Sequence, residues 1–118
     1  MSIERRNAPR VRAYRPVRIV KPGTSHVVET LTKDIGMGGV RCISPGLFPV
    51  SSEVSVEVVL STGEEPFTVR GRAIWFQTIP HSEQFDIGIA FLELPAQSKR
   101  RLSVYIDRLS SKLPHVTA

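Results

Sequence analysis

Hydrophobic and polar residues alternate with a period of two over most of the chain after residue 15. The clearest cases are residues 53–60 and 85–91, where valine, isoleucine, leucine or phenylalanine fills every second position. Such alternation is typical of β-strands that bury one face. Further candidates are residues 16–20, 27–32, 39–43 and 67–76. The sequence therefore predicts about six strands.

Turn-forming residues separate the predicted strands. Residues 22–23, 44–46, 61–63 and 80–82 are rich in proline, glycine and serine. Such clusters mark turns, and short connections favour antiparallel pairing of neighbouring strands. We therefore expect an all-β fold, either a meander or a barrel.

The period changes near the C-terminus. Leu102, Ile106, Leu109 and Leu113 follow the spacing i, i+4, i+7, i+11, which is typical of an amphipathic helix with one apolar stripe. This spacing predicts a helix over about residues 97–112, and we expect it to cover one end or face of the sheet.

Length and composition favour one small globular domain over residues 1–118. The chain is 41% hydrophobic and 23% charged, as in ordinary folded proteins. It contains neither an apolar signal segment nor a run approaching the ~20 residues of a membrane span, so we expect a cytoplasmic protein without membrane insertion. The single cysteine, Cys42, lies in a short apolar segment and is predicted to be a buried thiol.

The positive charge is concentrated at the N-terminus. The net charge is +5, and residues 1–21 contain seven lysines and arginines against one acidic residue, Glu4. The rest of the chain is nearly balanced. This distribution predicts a localised anion-binding site on a flexible basic arm, residues 1–15, rather than a uniformly basic surface.

The sequence does not indicate an enzyme. His26, His81 and His115 show no metal-ligand spacing, and no pair of nucleophile and base is apparent. We therefore expect a binding module with no catalytic residue, no metal and no cofactor.

Two arginines of the arm could act on one anion. Arg6 and Arg10 are four residues apart, and Pro9 favours an extended path for the residue before it. An arginine fork can bind a phosphate or the O6/N7 edge of guanine and can stack on a base. The alternative is a solvated basic tail.

The segment 34–39 is the second candidate. It holds Gly36, Gly38 and Gly39, and three glycines between two strands indicate either a positive φ or a close approach of the backbone. We expect a loop that exposes N–H groups to an anion. The carboxylate of Asp34 could accept the N1–H and N2–H of guanine. A tight turn without a ligand is the alternative.

Together these segments resemble the PilZ domain, a family of bacterial receptor modules for cyclic di-GMP. The family pattern is Arg-x-x-x-Arg in an N-terminal arm, followed by Asp/Asn-x-Ser-x-x-Gly. Arg6 and Arg10 match the first motif, and Asp34 and Gly39 match the ends of the second. Residues 73–75 and 87–91 are similar to the family's later strands, so the resemblance spans nearly the whole chain.

The resemblance implies both a fold and a function. The fold is a six-stranded antiparallel PilZ-type β-barrel with a C-terminal α-helix. The function is that of a receptor or adaptor that changes conformation on binding cyclic di-GMP and signals to an unidentified partner protein. The implied ligand-binding residues are Arg5, Arg6, Arg10, Asp34, Gly36 and Gly39.

Two positions refine this expectation. An arginine at the position of Arg5 is associated in the family with capture of two intercalated cyclic di-GMP molecules, so two ligands per chain are expected. Gly36 stands where the family usually has a serine that helps to hold the ligand. The missing hydrogen bond is worth about 0.5–1.5 kcal/mol, which leaves open a protein-interaction module that no longer binds the nucleotide.

The aromatic residues change this picture little. In a regular strand, Trp75 would point to the opposite face from Arg70 and Arg72. Core packing of Trp75 is therefore favoured over a stacking role unless a bulge intervenes. Tyr14 is the only aromatic residue of the arm. Because single-strand binders interleave aromatic and basic residues, we do not expect binding to RNA or DNA polymers.

Overall fold

The computed structural model describes residues 10–112, which form seven strands and one helix. The strands are β1 (Arg10–Arg12), β2 (Pro16–Val20), β3 (Val27–Gly36), β4 (Gly39–Ser44), β5 (Glu53–Val58), β6 (Phe67–Thr78) and β7 (Phe85–Phe91). The helix is α1 (Ala96–Lys112). No helix in residues 10–112 is long and apolar enough to cross a membrane.

The strands form a closed antiparallel barrel. The order around the barrel is β3-β2-β5-β6-β7-β4, and a pairing between β4 and β3 closes it. The predicted six-stranded barrel with a C-terminal helix is confirmed. Strand β1 is additional, because it pairs with residues 34–36 of β3 beyond the segment that β2 occupies.

Alternation of side chains builds the core. In β5 the inward residues Val54, Val56 and Val58 are at most 1% exposed, while the residues between them are not buried. The inward residues of the other strands complete one apolar cluster that includes Ile19, Phe67 and Ile89. Since each strand buries one face, the outer face of the barrel is left for polar and functional groups.

Helix α1 packs against β1 and β6. Leu102 and Ile106 are fully buried, and Leu109 packs at the edge of the core. The predicted amphipathic helix is therefore confirmed, although Leu113 of the predicted stripe lies outside the described residues. The predicted buried thiol is confirmed as well: Cys42 is inaccessible, and burial raises the pKa of Cys42 to about 12.

The turn between β3 and β4 differs from the expected loop. Asp34 to Gly36 belong to β3 and Gly39 belongs to β4, so only Met37 and Gly38 form the turn. In the described chain the glycines with positive φ are Gly23 and Gly63. Of the two expected reasons for the glycines, close approach applies: a Cβ on Gly39 would overlap the carbonyl oxygen of Ile89.

We predict that Gly39→Ala destabilises the barrel by about 1–3 kcal/mol, because the added methyl group meets rigid backbone rather than a movable side chain. Urea unfolding measures this loss. Gly38→Ala is the matched control, since nothing lies within 4 Å of a Cβ at that position. Equal stability of the two variants would show that the approach of β7 does not require glycine.

Candidate functional site

Two rows of paired residues cross the outer face of the barrel from β1 to β6. Every strand of the series β1, β3, β4, β7 and β6 contributes one residue to each row. The first row is Arg10, Gly36, Gly39, Ala90 and Arg72, and the second is Arg12, Asp34, Arg41, Gly88 and Trp75. The first row has small residues in the middle and an arginine at each end, whereas the second row contains two arginines, a carboxylate, one glycine and a tryptophan.

A β-bulge turns Asp34 towards this face. Thr32 is buried and pairs with Cys42, but the register between β3 and β4 shifts before Asp34, which pairs with Arg41. Without the shift, Asp34 would have the inward parity of Thr32. Such bulges commonly re-aim a side chain at a functional site, and here the bulge brings a carboxylate to the outer surface.

Two arginines hold the Asp34 carboxylate. Arg10 donates to Oδ1 through Nε at 3.0 Å and through Nη2 at 2.5 Å, and Arg41 Nη2 lies 2.7 Å from Oδ2. The side chain of Asp34 is 16% exposed, whereas that of Arg10 is 46% exposed. Arg10 therefore reaches over the surface from β1 to a half-enclosed carboxylate.

Arg41 retains an unused donor. Its Nε is buried and has no hydrogen-bond partner in the described part of the protein. A buried N–H without a partner costs about 1–3 kcal/mol, so Arg41 Nε is an unsatisfied donor within this cluster. The described residues contain no group of three His, Cys, Asp or Glu placed to hold a metal.

A cavity of about 380 Å³ opens beside this cluster. Its lining includes the small residues Gly39, Gly88 and Ala90 and the larger residues Arg10, Asp34, Arg41 and Trp75. These three residues add little side-chain bulk to the cavity. Gly39 and Gly88 are buried, and the Trp75 indole lies directly over Gly88.

Trp75 lies on the outer face, so the prediction that it packs in the core is wrong. It is 38% exposed, and a Cβ on Gly88 would meet the indole ring, with Cζ2 at 2.8 Å. The register between β6 and β7 shifts between Ala73 and Trp75. This bulge at Ile74 reverses the parity of the strand and turns Trp75 to the same face as Arg70 and Arg72.

Three of the predicted binding residues meet at this cavity: Arg10, Asp34 and Gly39. Gly36 is buried in β3 next to them, in the same row as Arg10, but it is not part of the described lining. Arg5 and Arg6 lie outside the described residues. Arg10 was expected in a flexible arm, whereas residues 10–12 form strand β1.

The sequence analysis missed Arg41, Gly88 and Ala90. The alternation of inward and outward residues along each strand could have indicated all three. Arg41 is two residues after Gly39, so the two residues share a face of β4. In β7 the small residues alternate with Ile87 and Ile89, which indicates an outer face without large side chains.

The fold is that of a small β-barrel with a cavity on its outer wall. A family model for the PilZ domain matches residues 4–108. The chain belongs to the PilZ domain family, as its sequence resemblance indicated.

Solved structures of the same fold are similar over most of this chain. The Bacillus subtilis inhibitor of motility (MotI/DgrA) has a TM-score of 0.75 and 23% identity, with 93% of this chain and 53% of that chain covered. The PilZ domain of Escherichia coli YcgR with c-di-GMP has a TM-score of 0.71 and 16% identity, with 92% and 93% covered. This chain thus spans about half the length of MotI/DgrA. No curated protein sequence matches it significantly.

Proposed function

We propose that this protein is a receptor or adaptor for cyclic di-GMP and that the ligand binds in the cavity beside Asp34. The observation that carries the proposal is the placement of Arg10, Asp34 and Arg41 in contact with one another along one cavity. Arginine and aspartate in one site provide donors for phosphate and an acceptor for the N–H edge of guanine. The c-di-GMP bound to the PilZ domain of YcgR is consistent with this ligand.

The bonds of Asp34 indicate how guanine would enter. An ionised carboxylate has about four acceptor positions, and three N–H groups of Arg10 and Arg41 already use it. Guanine offers two adjacent donors, so at least one arginine contact must open. Arg10 is the more exposed of the two arginines, and we infer that it moves from Asp34 onto the phosphate or the base of the ligand.

The indole of Trp75 provides an aromatic surface at the opposite end of the row. Stacking of a base on an aromatic side chain contributes about 1–3 kcal/mol. Because the Trp75 indole itself lies over Gly88, a base would stack on the outer side of the indole. The acceptor Asp34 lines the same cavity as Trp75.

The N-terminal arm would complete the site. Ligand cavities commonly measure about 300–1,000 Å³, and this cavity is at the small end of that range at about 380 Å³. Arg5 and Arg6 precede the Arg10 that already lines it. We propose that these residues fold over the ligand, and that the reshaped arm and barrel surface then engages a partner protein. Catalysis, a cofactor and binding to a nucleic-acid polymer are not part of this proposal.

A PilZ-type interaction module without nucleotide affinity is the second candidate, and Gly36 is the observation that favours it. Isothermal titration calorimetry with cyclic di-GMP, GTP and cyclic di-AMP separates the candidates. A receptor binds cyclic di-GMP and neither control, whereas absence of heat with all three nucleotides would favour the interaction module.

We predict that Gly36→Ser strengthens binding of cyclic di-GMP by about 0.5–1.5 kcal/mol, the net value of one hydrogen bond. Gly36 has the extended backbone of a strand, which serine adopts without strain. It pairs with Arg10, so the new hydroxyl would stand beside that arginine. Calorimetry measures the change. Gly46→Ser is the control, because Gly46 lies outside the cavity and a Cβ there would meet only the His26 ring, at 3.9 Å. Weaker binding by a folded Gly36→Ser variant would contradict this role of the position.

We also predict a stoichiometry of two cyclic di-GMP molecules per chain, which decreases towards one in Arg5→Ala. A stacked pair of ligands presents four phosphates and an exposed guanine face, to which a third guanidinium of the arm can bind. Calorimetry at ligand concentrations well above the dissociation constant measures the ratio. A ratio of one in the unmutated protein would exclude the stacked pair but leave the receptor proposal intact.

A further inference from the structure

A second cavity, of about 440 Å³, lies on the side of β1 that faces α1. It is bounded by the connection between β1 and β2, by the residues that follow β5, and by the C-terminal half of α1. The polar groups that line it come from Arg12, Tyr14, Arg15, Ser61, Tyr105 and Arg108. None of these residues lines the cavity beside Asp34.

Two arginines of this cavity, Arg12 and Arg15, carry charge that no described carboxylate balances. Three arginines line it, and its described lining contains no aspartate or glutamate. Several other surface arginines are paired: Arg18 with Glu29, Arg70 with Glu53, and Arg101 with Glu64. In residues 10–112, neither Arg12 nor Arg15 has a carboxylate within 4.0 Å. Guanidinium groups that share a concave site repel one another, and an anion between them removes the repulsion.

One of these arginines is fixed in place. Arg15 donates from Nε to the carbonyl oxygen of Val59 at 2.8 Å, and its backbone is bonded to Thr32 in both directions at 2.9 Å. The bond to Val59 uses one edge of the guanidinium, so the terminal nitrogens can donate to another acceptor. A side chain held in this way loses little conformational freedom when it binds an anion.

Neutral donors stand next to the arginines. Burial raises the pKa of Tyr105, while the charge of Arg15 lowers it to a smaller extent. The phenol therefore stays protonated at neutral pH and lies close enough to Arg15 to feel its charge. Tyr14, which is 56% exposed, adds an aromatic ring at the rim.

We propose that this cavity is a second anion site, and that it takes a phosphoryl group either as free phosphate or as a phosphate ester. A phosphoryl dianion suits the cavity better than a single carboxylate, because its oxygens can accept from several guanidinium forks at once. The site is independent of the proposed nucleotide site. Arg10 and Arg12 are two residues apart on β1, and each lines a different cavity.

Amide NMR of the apoprotein tests this inference by titration with inorganic phosphate, phenyl phosphate and acetate at constant ionic strength. The amides of Tyr14, Ser61 and Tyr105 report on this cavity, and those of Gly39 and Gly88 report on the cavity beside Asp34. The variants are Arg12→Gln and the double variant Arg12→Gln/Arg108→Gln. Arg18→Gln is the matched control, because it removes the same charge from the exposed face of β2 outside both cavities.

We expect a saturable shift of the Tyr14, Ser61 and Tyr105 amides with phosphate but not with acetate. The double variant should raise the dissociation constant about tenfold or more, and Arg18→Gln by less than about twofold. Tighter binding of phenyl phosphate would identify an ester as the preferred form. Shifts that do not saturate, or that Arg18→Gln reduces equally, would overturn the proposal. Binding of cyclic di-GMP by Arg12→Gln is a separate readout of the first cavity.

Discussion

Replacing Arg10 with alanine is expected to weaken cyclic di-GMP binding by about 2 kcal/mol or more, which is about thirtyfold in the dissociation constant. Arg10 is the exposed partner of Asp34 and borders the cavity, so it can transfer its charge-assisted bonds to the ligand. The fold should be little affected, because the Arg10 side chain is 46% exposed and Asp34 keeps its ion pair with Arg41 when Arg10 is removed. Calorimetry and a thermal melt measure the two effects.

The control for this prediction is Arg18→Ala. Arg18 is also an exposed strand arginine paired with a glutamate, but it lies outside the cavity. We expect the control to bind as the unmutated protein does. Arg6→Ala should reproduce the loss seen with Arg10→Ala, since Arg6 is assigned to the same ligand. Unchanged affinity in Arg10→Ala would remove the arm from the site.

Trp75→Ala is expected to weaken binding by about 1–3 kcal/mol, the contribution of one stacked base. The stability loss should be smaller than for a core aromatic residue, because the indole is 38% exposed and lies on the outer face over Gly88. Trp75→Phe should retain part of the affinity. Calorimetry gives the affinities, and urea unfolding checks the fold.

Phe76→Ala is the matched control for Trp75→Ala. Phe76 is the next residue along β6 and is 48% exposed, and its ring meets the edge of Phe85 rather than the cavity. We expect near-normal binding by this variant. If both variants lost affinity equally, the effect would arise from a general disturbance of β6, and the stacking role of Trp75 would be refuted.

The barrel could be predicted because its strands bury one face each. Large apolar residues fill every second position of residues 53–60 and 85–91, and the structure places Val54 and Ile87 inward as this pattern predicts. The helix could be predicted for a similar reason, because Leu102 and Ile106 belong to a buried apolar stripe with the 3.6-residue period of an α-helix. These patterns depend on the local order of apolar and polar residues, so a single sequence is enough to reveal them.

The site was harder to predict because two bulges create it. A strict period of two assigns Asp34 the parity of Thr32 and places Trp75 opposite Arg72. One extra residue in β3 and one in β6 reverse both assignments. Whether a strand contains a bulge depends on its partner's register, and register between distant strands is not visible in a local pattern.

The remaining omissions have the same origin. Strand β1 has only three residues, and it forms because β3 offers a free edge beyond β2. Arg41 and Gly88 became part of the site only through the pairing of β4 with β7. The resemblance to a family identified Arg10, Asp34 and Gly39 without such knowledge, because its motifs already encode the spatial arrangement.

Amide and indole NMR during a titration with cyclic di-GMP tests the central claim most directly. Trp75 is the only tryptophan, so its indole N–H gives one assignable signal at the cavity. We predict saturable shifts of this signal and of the Gly39 and Gly88 amides with cyclic di-GMP, and none with cyclic di-AMP. No saturable change at these three positions, or changes confined to another surface, would contradict the assignment of the cavity beside Asp34 as a cyclic di-GMP site.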